Sequence, residues 1–461
     1  MNVATFPIDS ALPQVKVASD ATLMREVFRR HLRPCSGTTY DIQDCSLTRV
    51  RFRRASRCIL QYNLRLLDST TGRARNQWVT GIICPGDGAK EMRLHASSLK
   101  EEVSRAFQTF EPVSFIPKLQ MVVQVFPYDR QLSSLPALVT GPPPEVESLL
   151  MAQFGPGDWR PEAWTIDPIR YRAEKAAVLK YSVQARDGAT GKREERGFYL
   201  KVYGNEKGEP TYQVLQALWR KDNAKEHFTV PKPIAYLSDL HTLIQEETAG
   251  ISFQQILVHG GDQEAESAAR KVARALAALH LDHISAKRRR PFKDQISRLN
   301  KTGKALQAAC PHLNKELEAI VGNIVAALEE VPLRQAHLDL KTDHVLLDGN
   351  RCTLLDLDSF AEADPVLDAA RMLAQIVAMR FRFSVLDSRL QMAARAFEEE
   401  YFNHVPGPWR NRLRTVYAGA ALKVALGFFR RQERDWPEAL AALLAEAQNS
   451  LAGRFCWEDF P

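Results

Sequence analysis

From Leu47 to Cys84 the chain alternates polar and apolar positions, turns at Thr71-Gly72, and alternates again. A period of two predicts half-buried strands, so the stretch reads as an antiparallel meander. Arg49, Arg51 and Arg53 fall on one strand face, Val50 and Phe52 on the other. Just before it, Ala21 to Leu32 has apolar residues at helical spacing and predicts a short amphipathic helix. From Ile169 to Tyr203 the same alternation returns.

The two meanders keep register. Arg51-Phe52-Arg53 matches Arg170-Tyr171-Arg172 at an offset of 119 positions (51 to 170). Ile59-Leu60-Gln61-Tyr62 matches Val178-Leu179-Lys180-Tyr181, and Asp68 matches Asp187, at the same offset. The turn dipeptide Thr71-Gly72 matches Thr190-Gly191. Residues 115–126 pair with 229–247 once a small insertion is allowed. Agreement over about 80 residues predicts an internal duplication. Two unrelated meanders sharing Arg/aromatic alternation would not be expected to keep the turn in register as well. In the second meander Lys201 interrupts the apolar run Phe198 to Val202. A lysine in such a strand needs a carboxylate or phosphate partner. At the equivalent place the first meander has Ile82.

After Lys201 the periodicity turns helical. Tyr212, Leu215, Leu218 and Trp219 share one face, residues 265–284 carry Ala, Val and Leu at helical spacing, and 312–330 predicts another helix. One stretch breaks this regime. Gln335 to Phe360 reads as an apolar strand, a polar loop, a strand, a turn at Asp348-Gly349-Asn350 and a strand ending in two carboxylates. Its polar residues are His337, Asp339, Lys341, His344, Asp356 and Asp358. Beyond it the chain is helical to about residue 452.

Composition narrows the class. With 461 residues the chain is long enough for two or three domains, and 45% hydrophobic with 25% charged residues is a globular balance. The net charge of +7 is modest, and no basic run is interleaved with aromatics, so no nucleic-acid partner is expected. Lys287-Arg288-Arg289-Arg290 reads as a solvated loop. The seven cysteines (35, 45, 58, 84, 310, 352, 456) form no metal-binding or C-x-x-C spacing, which predicts a reduced, cytoplasmic setting. No signal peptide and no membrane helix are expected. His280 and His283 are read as structural.

The polar loop resembles H-x-D-L-K-x-x-N of the kinase superfamily, and Leu355-Asp356-Leu357-Asp358 resembles the I-D-x-D motif of its aminoglycoside phosphotransferase and choline kinase branch. The resemblance implies an α+β, protein-kinase-like two-lobe fold with an antiparallel-sheet small lobe and a mainly helical large lobe. An extra small-lobe-like domain precedes it. The expected division is 1–145, 146–250 and 251–461, with the catalytic hairpin at 335–360.

Roles follow from phosphoryl transfer, which needs a carboxylate beside the attacking hydroxyl and another holding Mg²⁺ on the nucleotide. The resemblance implies Asp339 for the first role, with Lys341 neutralising charge. It implies Asp356 and Asp358 for the metal, with His344 where the family has an asparagine. Lys201 would be the phosphate-binding lysine, and Gln245-Glu246-Glu247-Thr248 the hinge offering backbone groups to adenine. His337 is implied to be structural, as are Asp368 and Arg371. The helix glutamate that would orient the lysine is absent; Gln213 occupies the inward position, with Glu209 as the other candidate. ATP with Mg²⁺ is implied, and Mn²⁺ is the alternative ion if imidazole joins the ligands.

Between 369 and 434 there are 12 Lys+Arg against 5 Asp+Glu. That favours a sugar, phosphosugar or other polyol as the small-molecule acceptor over a cationic aminoglycoside. Two other readings stand beside kinase activity: a pseudokinase scaffold, favoured by His344 and the missing glutamate, and transfer of AMP.

Overall fold

The computed structural model describes residues 9–35, 39–86, 109–221, 227–282 and 287–458. The two alternating stretches form two five-stranded sheets. The first contains β1 (Tyr40–Arg53), β2 (Arg57–Asp68), β3 (Ala74–Ile83), β4 (Val113–Ile116) and β5 (Met121–Val125) in the order β1-β2-β3-β5-β4. The second contains β6 (Trp159–Arg172), β7 (Ala176–Asp187), β8 (Arg193–Tyr203), β9 (Pro233–Leu237) and β10 (Thr242–Glu246) in the order β6-β7-β8-β10-β9. The pairs are antiparallel throughout.

Register and strain repeat with the topology. A bulge follows Ile42 in β1 and Pro161 in β6, both at the 119 offset; a second bulge differs by two positions, lying between Leu47 and Arg49 but between Pro168 and Arg170. Ala55 and Glu174 both take left-handed backbone, with φ of 52° and 58°. Such angles are costly for residues with a Cβ, so each needs an anchor. The anchor is the same in both sheets. Ala55 N–H donates to Asp9 Oδ2 at 2.6 Å, and Glu174 N–H donates to Asp129 Oδ2 at 2.7 Å. Tyr62 and Tyr181 hydroxyls donate to Ala18 O and Leu138 O in the helical segments that cover the two sheets. The equivalence therefore already holds at Asp9 and Asp129, ahead of the boundary expected at 145.

The two sheets share a core. Ile59, Ile82 and Val122 of the first pack in one buried cluster with Leu179, Phe198 and Leu200 of the second. Trp78, Phe126 and Tyr171 form a ring cluster across the join. Glu174, with its side chain 5% exposed, gathers three guanidinium groups: Arg51 at 2.8 Å, Arg130 at 2.7 Å and Arg57.

After β10 the chain crosses into a helical lobe. β11 (Ile251–Ser252) pairs with β13 (Val345–Asp348), which forms the expected hairpin with β14 (Arg351–Leu354). The strand before the polar loop, β12 (Arg334–Ala336), pairs outside the hairpin with β15 (Ala361–Ala363). The helix Val366–Ala378 is buried on nearly every face and forms the lobe's centre. Around it lie Asp262–Leu281, Asp387–His404, Leu413–Arg431 and Trp436–Leu451, all in one hydrophobic cluster. The fold is thus α+β, with an antiparallel-sheet lobe and a helical lobe preceded by an additional sheet domain. No helix among the described residues is long and apolar enough to cross a membrane.

Two readings of the sequence meet the structure differently. His280 is fully buried between Tyr401 and Asp368, as a structural histidine would be, while His283 lies outside the described residues. The run Lys287 to Arg290 is not a free solvated loop. Arg290 N–H donates to Glu362 O, Glu362 N–H donates to Arg288 O, and Arg288 Nη1 donates to Asp358 O at 2.9 Å. Backbone pairing with the edge strand β15 straps it to the hairpin, a contact that local composition cannot reveal.

Candidate active site

The polar loop is held open by a buried carboxylate. Asp368, at the start of the central helix, accepts Leu338 N–H at 2.7 Å and His337 N–H at 2.5 Å. His280 Nε2–H completes its shell at 3.2 Å. These bonds fix Leu338 in left-handed backbone, φ 62°, which turns the next residue, Asp339, toward the cleft. His337 donates from Nε2 to Leu355 O at 2.8 Å, tying the loop to the end of β14.

Asp339 meets two cations: Arg371 Nη2 at 2.8 Å and Lys341 Nζ at 3.3 Å. Burial pushes its carboxyl up, but Arg371 and Lys341 outweigh that and hold it well below the usual carboxylate range. It is an ionised acceptor at neutral pH. Burial lowers Lys341, while Asp339 pulls it back up.

Across the cleft, β8 presents Lys201. Its ammonium lies 2.7 Å from Asp356 Oδ1 and 2.8 Å from Asp358 Oδ2. Asp358 also accepts the Tyr203 hydroxyl at 2.8 Å. Asp356 has left-handed backbone, φ 61°, so the chain bends there and brings both carboxylates to one edge. Burial raises the Asp356 carboxyl and Lys201 lowers it further, leaving it well below its ordinary value. Lys201 is raised correspondingly: burial opposes its charge, and Asp356 restores it. Gln213 does not reach Lys201; it bonds Glu209 and Lys287. The lysine is therefore oriented by the two aspartates themselves.

His344 is almost fully buried between the two groups. Its Nδ1–H donates to Asp339 O at 3.0 Å, which leaves Nε2 as the lone pair of the neutral ring. Lys341 Nζ lies 3.4 Å from that nitrogen, and Asp356 Oδ2 lies 3.7 Å away. Burial, then Lys341, lowers the ring's pKa to about 4, so it is neutral at physiological pH. A neutral ring already bonded on both nitrogens is a poor metal ligand. Among the described residues no group of three or more His, Cys, Asp or Glu is placed to hold a metal alone. Asp356 and Asp358 do supply ionised oxygens, and Mg²⁺ characteristically takes one or two carboxylates and completes its shell with phosphates and water.

Two of the four hinge residues are already engaged. Glu246 N–H donates to Lys232 O at 3.0 Å and Glu247 N–H to Gly197 O at 2.9 Å. The Glu247 side chain pairs with Lys180 at 2.6 Å. Gln245 lies within β10, in register with Tyr199 and Pro233. Thr248 follows the strand where the chain crosses between lobes.

A cavity of about 320 Å³ opens beside Asp339, with Leu338 and Arg371 in its wall. Its charged lining is Arg290, Arg298, Lys301, Arg371, Lys423 and Arg430, with no carboxylate. The charge count over 369–434 identified the wrong residues for the most part. Arg380, Arg382, Arg389, Arg412 and Arg414 are spent on Glu446, Glu433, Asp262, Asp364 and Glu458. Half of the cavity's cations come instead from the strap and the helix Phe292–Ala309, a segment without an assigned role in the sequence. Gln295, Arg298 and Thr302 recur at helical spacing on the face of that helix that lines the cavity, and this was the available signal.

Comparison with known proteins comes last. No curated protein matches the chain in sequence. Solved structures to which the chain is similar include a choline kinase from Cryptosporidium parvum Iowa II, at 11% identity over 63% of this chain and 89% of that one, TM-score 0.42. A macrolide 2′-phosphotransferase from Brachybacterium faecium matches at 17% over 65% and 97%, TM-score 0.39. An ADP-bound aminoglycoside phosphotransferase matches at 17% over 67% and 99%, TM-score 0.38. The family model described as the phosphotransferase enzyme family matches residues 192–402, from the start of β8 into the helix Asp387–His404. Over that span, which holds Lys201, Asp339, Asp356 and Asp358, the sequence carries the pattern of the phosphotransferase enzyme family.

Proposed function

We propose that the protein transfers the γ-phosphoryl group of ATP to a hydroxyl of a small molecule, a sugar, phosphosugar or other polyol. The observation that carries this reading is the meeting of Lys201, from the small lobe, with Asp356 and Asp358 of the helical lobe at 2.7 and 2.8 Å. One cation and two hard anions meeting between the lobes support a site for nucleotide phosphates there. Asp339 stands ionised next to an open cavity and takes the proton of the acceptor hydroxyl. The acceptor oxygen bonds to phosphorus, the bond to the bridging oxygen breaks, and ADP leaves. Arg371 fixes the carboxylate that receives the proton, and Lys341 offsets charge beside it. Mg²⁺, when bound by Asp356 and Asp358, would neutralise the nucleotide phosphates. Thr248 and the hinge strand would meet the adenine edge.

Several features support a second reading, a nucleotide- or partner-binding scaffold. Lys201 closes directly on both carboxylates, and His344 stands where an oxygen ligand would serve the metal. One experiment separates the readings. The full chain is incubated with ATP, Mg²⁺ or Mn²⁺, and a metabolite library, with mass detection of both nucleotide and acceptor. ADP together with an acceptor heavier by one phosphate is expected. Nucleotide binding without turnover would replace this reading with the scaffold, and pyrophosphate release would replace it with AMP transfer.

A further inference from the structure

The cavity beside Asp339 is built for negative charge. Arg371 is 9% exposed and lines it; one nitrogen holds Asp339, while Nε and Nη1 have no hydrogen-bond partner among the described residues. Buried guanidinium nitrogens without acceptors are costly, and a ligand oxygen in the cavity would satisfy them. Lys423 lines the same space, within electrostatic reach of Arg371 and of Asp339. Burial, then Arg371, lowers its ammonium to about 7. Six cations line the cavity against the one neighbouring carboxylate of Asp339, and an anion in the cavity would offset the excess.

The charge does not stop at the helical lobe. Arg430, in the cavity wall, belongs to the helix Leu413–Arg431, which packs against β1 of the first sheet. On β1, Arg49 lies within electrostatic reach of Arg172 and Arg170 of the second sheet and of Arg431 and Arg430 of that helix. Burial and those four arginines lower it to about 9. No ion pair joins Arg49, Arg170, Arg172 or Arg430 to a carboxylate among the described residues. The additional sheet domain thus brings two arginines of β1 near Arg430 in the cavity wall: Arg51, which is paired with Glu174, and Arg49.

We infer that the acceptor is a multiply anionic small molecule, and that the N-terminal sheet domain contributes Arg49 to the site that holds it. This rests on the phosphotransferase reading only for the word acceptor; the anion site stands on the cavity. The domain that has Ile82 where the second meander has its lysine keeps a binding role on the same face of its meander, through Arg49. Phosphate and carboxylate groups share this chemistry, and arginine forks suit both. Nucleic acid fits less well, because no aromatic side chain lines the cavity.

The test uses the full chain and a compact non-nucleotide polyanion, inositol hexakisphosphate, in calorimetric titration at ~0.15 M salt, where exposed charges are screened beyond ~8 Å. Citrate is the carboxylate arm. Binding of either is expected to weaken by about tenfold or more in Lys423→Gln and in Arg298→Gln, the scale of one lost charge-assisted contact. Arg49→Gln is expected to weaken it comparably, while Arg160→Gln, an exposed arginine on the outer edge of β6, leaves it unchanged. Retained melting temperatures show that the variants fold. Absence of binding, or equal loss in all four variants, overturns the site. Loss in the cavity variants but not in Arg49→Gln overturns the role of the N-terminal domain. Polyanion binding without any phosphoryl transfer leaves the inference intact and sinks the phosphotransferase reading. Transfer to a neutral or cationic acceptor, insensitive to Lys423→Gln, does the reverse.

Discussion

Lys201 Nζ and Asp356 Oδ1 meet at 2.7 Å although 155 positions separate them, and Asp358 meets both Lys201 and Tyr203 at 2.8 Å beside them. Replacing Lys201 by Met removes the one cation shared by Asp356 and Asp358. Turnover of ATP is expected to fall by ~10²-fold or more, on the scale of a lost electrostatic site contact. Steady-state kinetics with varied ATP checks it; unchanged kcat/KM for ATP would remove Lys201 from the mechanism.

Asp339 is expected to act as proton acceptor, so Asp339→Asn lowers turnover by ~10²–10⁴-fold and leaves nucleotide affinity nearly intact. The pH profile gives a sharper reading. Its carboxyl is held well below the usual range by Arg371 and Lys341 against burial, so the acid limb of kcat/KM in wild type lies below the usual carboxylate range. Arg371→Gln removes the larger of the two charges and is expected to move that limb upward. An unmoved limb would show that another group limits the rate in acid.

The join between the sheets yields a stability prediction with a definite sign. Burial raises the Glu174 carboxyl, but Arg57 and Arg130 bring it below its ordinary value of 4.5. A folded-state pKa below the unfolded one stabilises the fold above the unfolded value, and the gain is lost as pH falls through the folded value. Glu174→Gln is expected to cost about 2–4 kcal/mol at neutral pH, the scale of a broken buried pair reduced because its arginines are partly exposed. As pH falls through the folded-state value, which lies below 4.5, the melting curves of wild type and variant are expected to converge. A gap that persists in acid would assign the loss to packing instead.

Much of this fold could be read along the chain because its signals are local. Thr71-Gly72 and Thr190-Gly191 fix the turns with glycine φ of 68° and 72°, and the strands between inherit register from them. Lys201 and the two aspartates stood out because charge in apolar strands is rare. What stayed hidden depends on long separation. Asp9 holding Ala55, and Asp129 holding Glu174, are backbone anchors without a motif, so the second copy appeared to begin later than its structural equivalence does. The acceptor cavity was hidden for a related reason. Whether an arginine is spent on a glutamate or left facing a cavity is settled by tertiary neighbours, as Arg382 and Arg298 show.

His344 offers the last test, because its geometry sets two chemistries apart. A metal-ligating imidazole must present an unprotonated nitrogen to the ion. Here Nδ1–H is committed to Asp339 O at 3.0 Å, and the Nε2 lone pair faces Lys341 at 3.4 Å as well as Asp356 at 3.7 Å. The ring thus serves as a neutral spacer that fixes the loop carrying Asp339, while hard oxygen donors come from Asp356 and Asp358. Nitrogen ligation would favour Mn²⁺, whereas two carboxylates suit Mg²⁺. His344→Asn places an amide oxygen near Asp356 and keeps a donor for the Asp339 carbonyl. Activity with Mg²⁺ is therefore expected to stay level or rise in the variant, and the wild-type Mg²⁺/Mn²⁺ activity ratio is expected to show no strong preference for Mn²⁺. Metal-dependent rates for both proteins, measured at one pH, decide it. A wild-type preference for Mn²⁺ that disappears in His344→Asn would make the imidazole a ligand, and would require Lys341 to swing off Nε2 when the ion binds.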